Sequence, residues 1–439
     1  MLPGSSIKEV YEDSDRQYEE IFLNCENISN GKLATIASNI NTDGGILVLN
    51  STSFPTNNFI TFDGKTEEIP EKIPALGWKV IPLDFNKQRK VTVTDDSIIE
   101  NDFYRIKVES DGTISSFIDK PNNRQIVAPG KRFNEFKVFE DLPFRYQNWE
   151  LNEYYKEKSW ELGKIVSIST VYDGSRAGLR IERAYLKSSF VQKIWLYSTI
   201  ERVDFETEMD WHEHHQLVKT YFPINVRANK ARYDIQFGNV ERNTHQNTSW
   251  DVAKFEVCAH KWADISDGNY GVSLMNDCKY GHSCDGSTLS LSIVKCSTYP
   301  NPEADIGKHY FIYSIMPHLG DFKTKTIDAA YALNQPFESL KLTKNTKGTL
   351  SCEYSFINIS EYNAVIESVK PSEDCNALIV RIYESHDISN EIAVNFGFKP
   401  KKVYLCDMLE NPEEELEINN DSVSFHISNY EIATLKVEV

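Results

Sequence analysis

The sequence predicts a mainly β protein: a short N-terminal helix followed by several antiparallel β-sandwich domains. Three observations carry this. Short runs with a hydrophobic period of two recur from about residue 43 to the end, and Gly, Pro and Asn break them at sheet-like intervals. Only one stretch, near the N-terminus, has helical spacing. The 439 residues, 40% hydrophobic and 12% aromatic, suffice to bury several cores without disulfides.

The helical stretch covers residues 5–25. Ser5 or Ser6 can cap it, Glu9 lies in its first turn, and Ile7, Val10, Tyr11, Tyr18, Ile21 and Phe22 fall near helical spacing. The pattern predicts an end near Asn24. GGILVLNSTSF, NFITFDG and WKVIPLDF then read as strands of a small β domain. In SIIENDFYRIKVESDGTISSFIDK, Asp111-Gly112 between two alternating segments signals a hairpin turn. KVFED, GKIVSISTVYDG, GLRIERAYL, FVQKIWLYS and VDFETEMDW continue at sheet spacing. NQPFESLKLT, with Pro336, reads as a linker, and TLSCEYSFINI, ALIVRIYES and KKVYLCDM form a last group of strands. The acidic NPEEELEINND, residues 411–421, reads as an exposed loop. The resulting division is 1–25, 26–95 (small β domain), 96–335 (large β sandwich) and 336–439 (C-terminal β domain).

Charge narrows the partners. Lys and Arg total 47 against 65 Asp and Glu, a formal charge of −18, which argues against nucleic acid or an anionic membrane. No run approaches the roughly 18 apolar residues of a membrane span. The eight cysteines lack CxxC pairs and read as reduced, buried thiols of an intracellular protein, Cys278 and Cys284 included, so a cytoplasmic location is expected. Homo-oligomerisation is left open.

Chemistry concentrates in NTHQNTSWDVAKFEVCAHKWADISDGNYGVSLMNDCKYG, residues 243–281, where Trp, His, Cys, Asp and Lys are denser than a sheet core needs. It reads as the rim of a polar site. WHEHH at residues 211–215 is the one local metal-like cluster, but on a strand it would send His212 and His214 to one face and Glu213 and His215 to the other. It reads better as a polar edge where a strand leaves its sheet, so no metal ligand is assigned. Asp210, Glu213, Asp251, Asp264, Asp267 and Asp277 are available as acids. A retaining glycosidase needs two of them roughly 5 to 5.5 Å apart, and most such groups instead cap turns or pair with cations.

Several segments in order resemble one family, the glycoside hydrolase family 38 α-mannosidases of the cytosolic and bacterial class. LPGSSIKEVYEDS resembles its last bundle helix; DWHEHHQLVKTYFP, the 243–281 stretch and YSIMPHLGDF resemble its large β domain; ALIVRIYES and YEIATLKVEV complete the pattern. The resemblance implies that residues 1–25 are a remnant helix of a three-helix bundle and that the central domain is a large galactose-mutarotase-like sandwich. It also implies that the chain is the C-terminal half of the enzyme, lacking an N-terminal (β/α) barrel that carries the zinc and the attacking aspartate. On that reading this chain holds no cofactor and no catalytic residue. Its expected role is to supply scaffold and substrate contacts to a zinc-dependent retaining enzyme that removes terminal α-D-mannose from oligosaccharides, with the barrel half as partner. The expected contacts are Asp277, Lys279 and Tyr280 in NDCKYG, with Asp141 and Trp149 in FEDLPFRYQNWEL, and His245, Trp250, His260 and Trp262 are expected to support the same rim. The alternative is a stand-alone carbohydrate-binding β-sandwich module.

Overall fold

A computed structural model describes residues 6–83 and 90–439. The Ser5 cap and the end of the WKVIPLDF run at Asp84 and Phe85 lie outside these residues. The chain divides into two compact units. One gathers residues 1–32, 87–233 and 241–324; the other gathers 33–86, 234–240 and 325–439.

The first unit is built on two large antiparallel sheets. A six-stranded sheet runs Ser159–Glu161, Glu135–Glu140, Gln216–Pro223, Thr288–Cys296, Gly281–Asp285, Val257–Cys258. A nine-stranded sheet passes from Lys164–Asp173 through Arg176–Tyr185, Ser188–Leu196, Val203–Trp211, Gly307–Leu319, Tyr270–Asn276 and Trp262–Ser266 to Lys230–Ile235 and Gly238–Asn243. Aromatic rings fill the core: Phe133 meets Phe222 edge-on at 5.6 Å, and Phe205 stacks on Tyr313 at 4.9 Å between ring centres. A fully buried polar knot sits among them, with Asn134 donating to Gln192 (2.6 Å) and Tyr313 donating to Asn134 (2.6 Å), so each buried group finds a partner.

A smaller five-stranded sheet contains the expected hairpin. In Tyr104–Val108, Tyr104, Ile106 and Val108 are buried while Arg105 and Lys107 point outward, the period-two pattern of a half-buried strand. The chain reverses at Asp111-Gly112, where Asp111 Oδ1 accepts from Thr113 N (2.9 Å) and Gly112 takes φ +75°, a left-handed conformation that glycine adopts without strain.

In the second unit, Gly45–Asn50 pairs with Glu338–Leu342 on one side and Gly77–Ile81 on the other. This strand, GILVLN, is buried nearly throughout because alternate residues feed two cores: Ile46 and Val48 join Ile60 and Ile69, while Leu47 joins Leu33, Trp78 and Leu342. Towards the C-terminus, a three-stranded sheet (Ile357–Ile359, Asn390–Phe396, Ser422–Ile427) and a five-stranded sheet that includes Leu378–Glu384 and Ile432–Glu438 share a core of Val380, Ile382, Val394 and Leu435.

Four readings of local structure change. The helix runs Lys8–Asn39 rather than ending near Asn24; beyond Gly31 it is held by Leu33, Ile36 and Ala37, which pack against the Leu47–Trp78 core. The segment read as a linker is the strand Glu338–Leu342, recruited by the edge of Gly45–Asn50. Within the acidic segment, Pro412–Leu416 is a strand paired with Lys402–Cys406, its glutamates facing water. Finally, all eight cysteines are free, but only Cys296 and Cys406 are buried; Cys25, Cys258, Cys278, Cys352 and Cys375 are exposed, because they occupy turns, edges and the solvent face of the helix.

Candidate carbohydrate-facing rim

The turn after Tyr270–Asn276 is fixed by its own last residue. Asn276 is fully buried; its side-chain oxygen accepts from Lys279 N (2.7 Å), and its amide nitrogen donates to His260 O (2.8 Å) and lies 3.3 Å from His282 Nε2. Asp277 then brackets the neighbouring strand Gly307–Leu319, donating its N–H to Ile312 O (3.1 Å) and accepting from Ile312 N on Oδ2 (3.0 Å). Its Oδ1 accepts no nitrogen or oxygen donor; the adjacent Cys278 thiol is its near neighbour. Lys279 folds back over Phe311, its ammonium 4.7 Å from the ring centre, and no carboxylate lies within ion-pair distance among the described residues. Tyr280 is half exposed, 5.3 Å from the His260 ring. Burial raises the Asp277 pKa and lowers that of Lys279, since each loses hydration of its charged form.

The 139–151 segment forms a second wall. Asp141 donates its N–H to His215 O (2.8 Å), and its carboxylate, 1% exposed, ion-pairs with Lys295 at 2.9 Å. Asp141 therefore lies beneath the loop and acts on its surroundings through Lys295, which also donates to Gln147 O. Gln147 Oε1 in turn accepts from Thr298 N (3.1 Å) and Thr298 Oγ1 (3.0 Å). Above this clamp Trp149, 42% exposed, meets Tyr146 (6.1 Å) and Tyr299 (6.4 Å) edge-on, giving a shelf of three accessible rings.

Asp305 joins the two walls. Burial of its carboxyl raises its pKa, and the charges of His309, Lys279 and Lys295 oppose the rise, so both lysines act on one carboxylate. Asp277, Lys279 and Tyr280 thus share one turn, Asp141 and Trp149 share the clamped 139–151 segment, and Asp305 is within electrostatic range of a lysine that each group holds. Sequence reading missed Lys295, on the strand Thr288–Cys296, and Tyr299 and Asp305, whose only signal was the turn-rich run STYPNPEADIG.

The supporting residues scatter. Trp262 is core, stacked on Phe322 at 5.3 Å, whereas Trp250 is 79% exposed on the short helix Ser249–Val252. His245 lies 3.6 Å from Asp251, the acid of that helix's capping box with Thr248. Other acids are committed locally: Asp264 accepts from His318 (2.7 Å) and Ser273 (2.9 Å), Glu213 from Lys187 N (2.7 Å), and Asp267 from Asn269 N (3.0 Å). In WHEHH the strand stops at Trp211; His212 pairs with Asp210 (2.9 Å), and His215, at φ +55°, donates its backbone N–H to Cys296 O (2.6 Å). Among the described residues no group of three or more His, Cys, Asp or Glu is placed to hold a metal ion. The rim offers hydrogen-bond donors, acceptors and aromatic faces.

Comparison with known proteins agrees with this architecture. The glycosyl hydrolases family 38 C-terminal domain matches residues 99–303, and the family 38 C-terminal beta sandwich domain matches residues 363–435. Alpha-mannosidase 2C1 of Homo sapiens is 30% identical over 459 residues, covering 99% of this chain and 44% of that protein. Alpha-mannosidase G of Dictyostelium discoideum is 28% identical over 507 residues, covering 99% of this chain and 46% of that protein. The chain therefore spans under half the length of these relatives. A crystal structure of an alpha-mannosidase from Enterococcus faecalis V583 superposes with a TM-score of 0.80 at 13% identity, over 99% of this chain and 61% of that one, a likeness of fold. The chain belongs to glycosyl hydrolase family 38, of which it carries the C-terminal β domains.

Proposed function

We propose that this chain is the β portion of a zinc-dependent, retaining α-mannosidase that removes terminal α-D-mannose from oligosaccharides, and that it is inactive alone. One observation carries the reading at the level of the site: among the described residues the half-buried side chains of Asp277, whose buried Oδ1 accepts no nitrogen or oxygen donor, and of Lys279, which lies over Phe311, make no ion pair, and Asp305 is within electrostatic range of Lys279. A sugar hydroxyl both donates and accepts, so it satisfies such a pair at once, while Tyr280 and Trp149 cover the CH faces. Asp141 contributes by holding Lys295. In this reading a barrel half would hold the zinc, which would supply polarisation of sugar hydroxyls, and would carry the aspartate nucleophile. The present residues orient the sugar and exclude water. A cytoplasmic location fits eight free thiols.

The test is reconstitution with an N-terminal barrel half. Asp277→Ala and Lys279→Ala should each lower kcat/KM by roughly 10- to 100-fold, the loss of a hydrogen bond to a charged group. Wild-type kcat/KM in both variants ends the assignment. Zinc-dependent cleavage of an aryl α-mannoside by the purified chain alone refutes its dependence on a barrel. The exposed rings of Tyr146, Trp149 and Tyr299 also suit a stand-alone carbohydrate-binding module. A reading frame directly upstream that encodes a barrel decides for the enzyme, and its absence decides for the module.

A further inference from the structure

A cavity of about 470 Å³, sharing no lining residue with the Asp277–Tyr280 rim, lies under the Asp111-Gly112 turn. Its walls are that turn, residues 130–136, the turn 161–165 and Arg183 from the strand Arg176–Tyr185. The volume falls in the range of roughly 300 to 1,000 Å³ typical of small-molecule sites.

Arg183 is the unusual element. It is 9% exposed, yet among the described residues no carboxylate lies within ion-pair distance of it; Nη2 donates to Asp111 O (2.8 Å), and no other hydrogen bond holds the guanidinium. The guanidinium lies 5.8 Å from the centre of the Phe136 ring, and its remaining N–H groups meet no protein acceptor among the described residues, which leaves them available to an acceptor in the cavity. The turn passes close over it: Gly112 takes φ +75°, which suits glycine, and a Cβ there would stand 2.4 Å from Nη2 and displace the end of the arginine side chain.

The rest of the lining selects the class of ligand. Arg132 is engaged by Glu109 (3.3 Å), and the Asp111 carboxylate by Thr113. Among the described residues Lys131, Lys164 and Glu161 make no ion pair, so donors of both cationic kinds and an unpaired carboxylate line the same space. In total four cations stand against three acids there. A free anion would meet the acids and a cation the lysines; a neutral polyol meets both. We infer that this cavity binds one neutral hexose unit of a glycan, with Arg183 donating to adjacent hydroxyls, Glu161 accepting, and Lys164 closing the mouth. This site does not depend on the hydrolytic reading above.

The experiment is calorimetric titration of the whole chain with methyl α-D-mannoside, methyl α-D-glucoside and inorganic phosphate. Saturable binding of at least one glycoside is expected, with Kd on the order of 1 mM. Glu161→Ala and Lys164→Ala, both at exposed positions that leave the fold intact, should weaken it by about 5-fold each, and Arg183→Met by about 10-fold or more. Glu414→Ala, at an exposed position outside the cavity lining, should leave it unchanged. The inference is overturned if neither glycoside saturates by ~50 mM, if phosphate binds more tightly than both, or if binding survives Glu161→Ala and Lys164→Ala while disappearing in Asp277→Ala.

Discussion

His282→Gln tests the chemistry beneath the rim. His282 is fully buried on the strand Gly281–Asp285, where burial first, then the charge of Lys219, depresses its pKa from 6.5 to about 3. The folded protein therefore holds a neutral imidazole, while the unfolded chain titrates near 6.5. Between those values the unfolded state binds the extra proton, so stability is complete above pH 6.5 and falls as pH drops, by about 1.4 kcal/mol per unit. At pH 5 the loss is about 2 kcal/mol relative to neutral pH, approaching about 5 kcal/mol near pH 3. Urea unfolding of wild type and His282→Gln at pH 7 and pH 5 should show the wild type losing about 2 kcal/mol more than the variant across that interval. The ring C–H resonance that disappears in the variant should not titrate between pH 8 and pH 5. Protonation would also turn Nε2 from an acceptor into a donor facing the Asn276 amide, so the turn that presents Lys279 stays held until the pH nears 3. A midpoint near 6.5 for this histidine, or equal pH dependence of both proteins, refutes the reasoning.

Three further substitutions probe other levels of the fold. Lys219, whose side chain is 0% exposed, pairs with Glu256; Lys219→Met should cost about 3 to 5 kcal/mol in chemical denaturation, and adding Glu256→Gln should recover part of that because no carboxylate is then left unpaired. Full additivity of the two changes would show that the pair is not coupled. Gly178→Ala places a Cβ 1.9 Å from Ile194 O across the pairing of Arg176–Tyr185 with Ser188–Leu196, so the variant should lose on the order of 4 kcal/mol or fail to fold, visible as lost near-ultraviolet dichroism. Thr248→Ala removes one half of the Thr248–Asp251 capping box and should cost only about 1 kcal/mol, read as faster amide exchange confined to residues 249–253.

What could be read from the sequence was local. Alternation in Tyr104–Val108 and the glycine of the 111–112 turn are properties of adjacent residues, and both survive intact in the structure. Elements that depend on distant partners were not legible. Glu338–Leu342 follows a proline and lacks clear alternation, yet it is a strand because Gly45–Asn50, almost three hundred residues earlier, offers it an edge. The helix continues past Gly31 for the same reason: Leu33 gains a core that no window of sequence displays. Lys219 is the sharper case. In QLVKTYFP a lysine reads as the solvent face, but a covering segment brings Glu256 over it and turns that face inward.

The site divides along the same line. NDCKYG stood out because polar residues crowd the end of a strand that is otherwise buried, and the structure explains the crowding as the cost of leaving a sheet: Asn276 must satisfy the turn that Lys279 rides on. Density of polar residues therefore locates where the backbone departs from the core, and it cannot separate Trp262, buried against Phe322, from Trp250, which stands in solvent twelve positions earlier. Lys295 and Asp305 show the complement of that rule. Each is unremarkable among its own neighbours, and only the pairing of Glu135–Glu140 with Gln216–Pro223, and of that strand with Thr288–Cys296, carries them to one place. A rim assembled from three sequence-distant loops is what a sheet scaffold provides. If the rim binds sugar as proposed, that binding should respond to changes in strand register as strongly as to changes in the residues that touch the ligand.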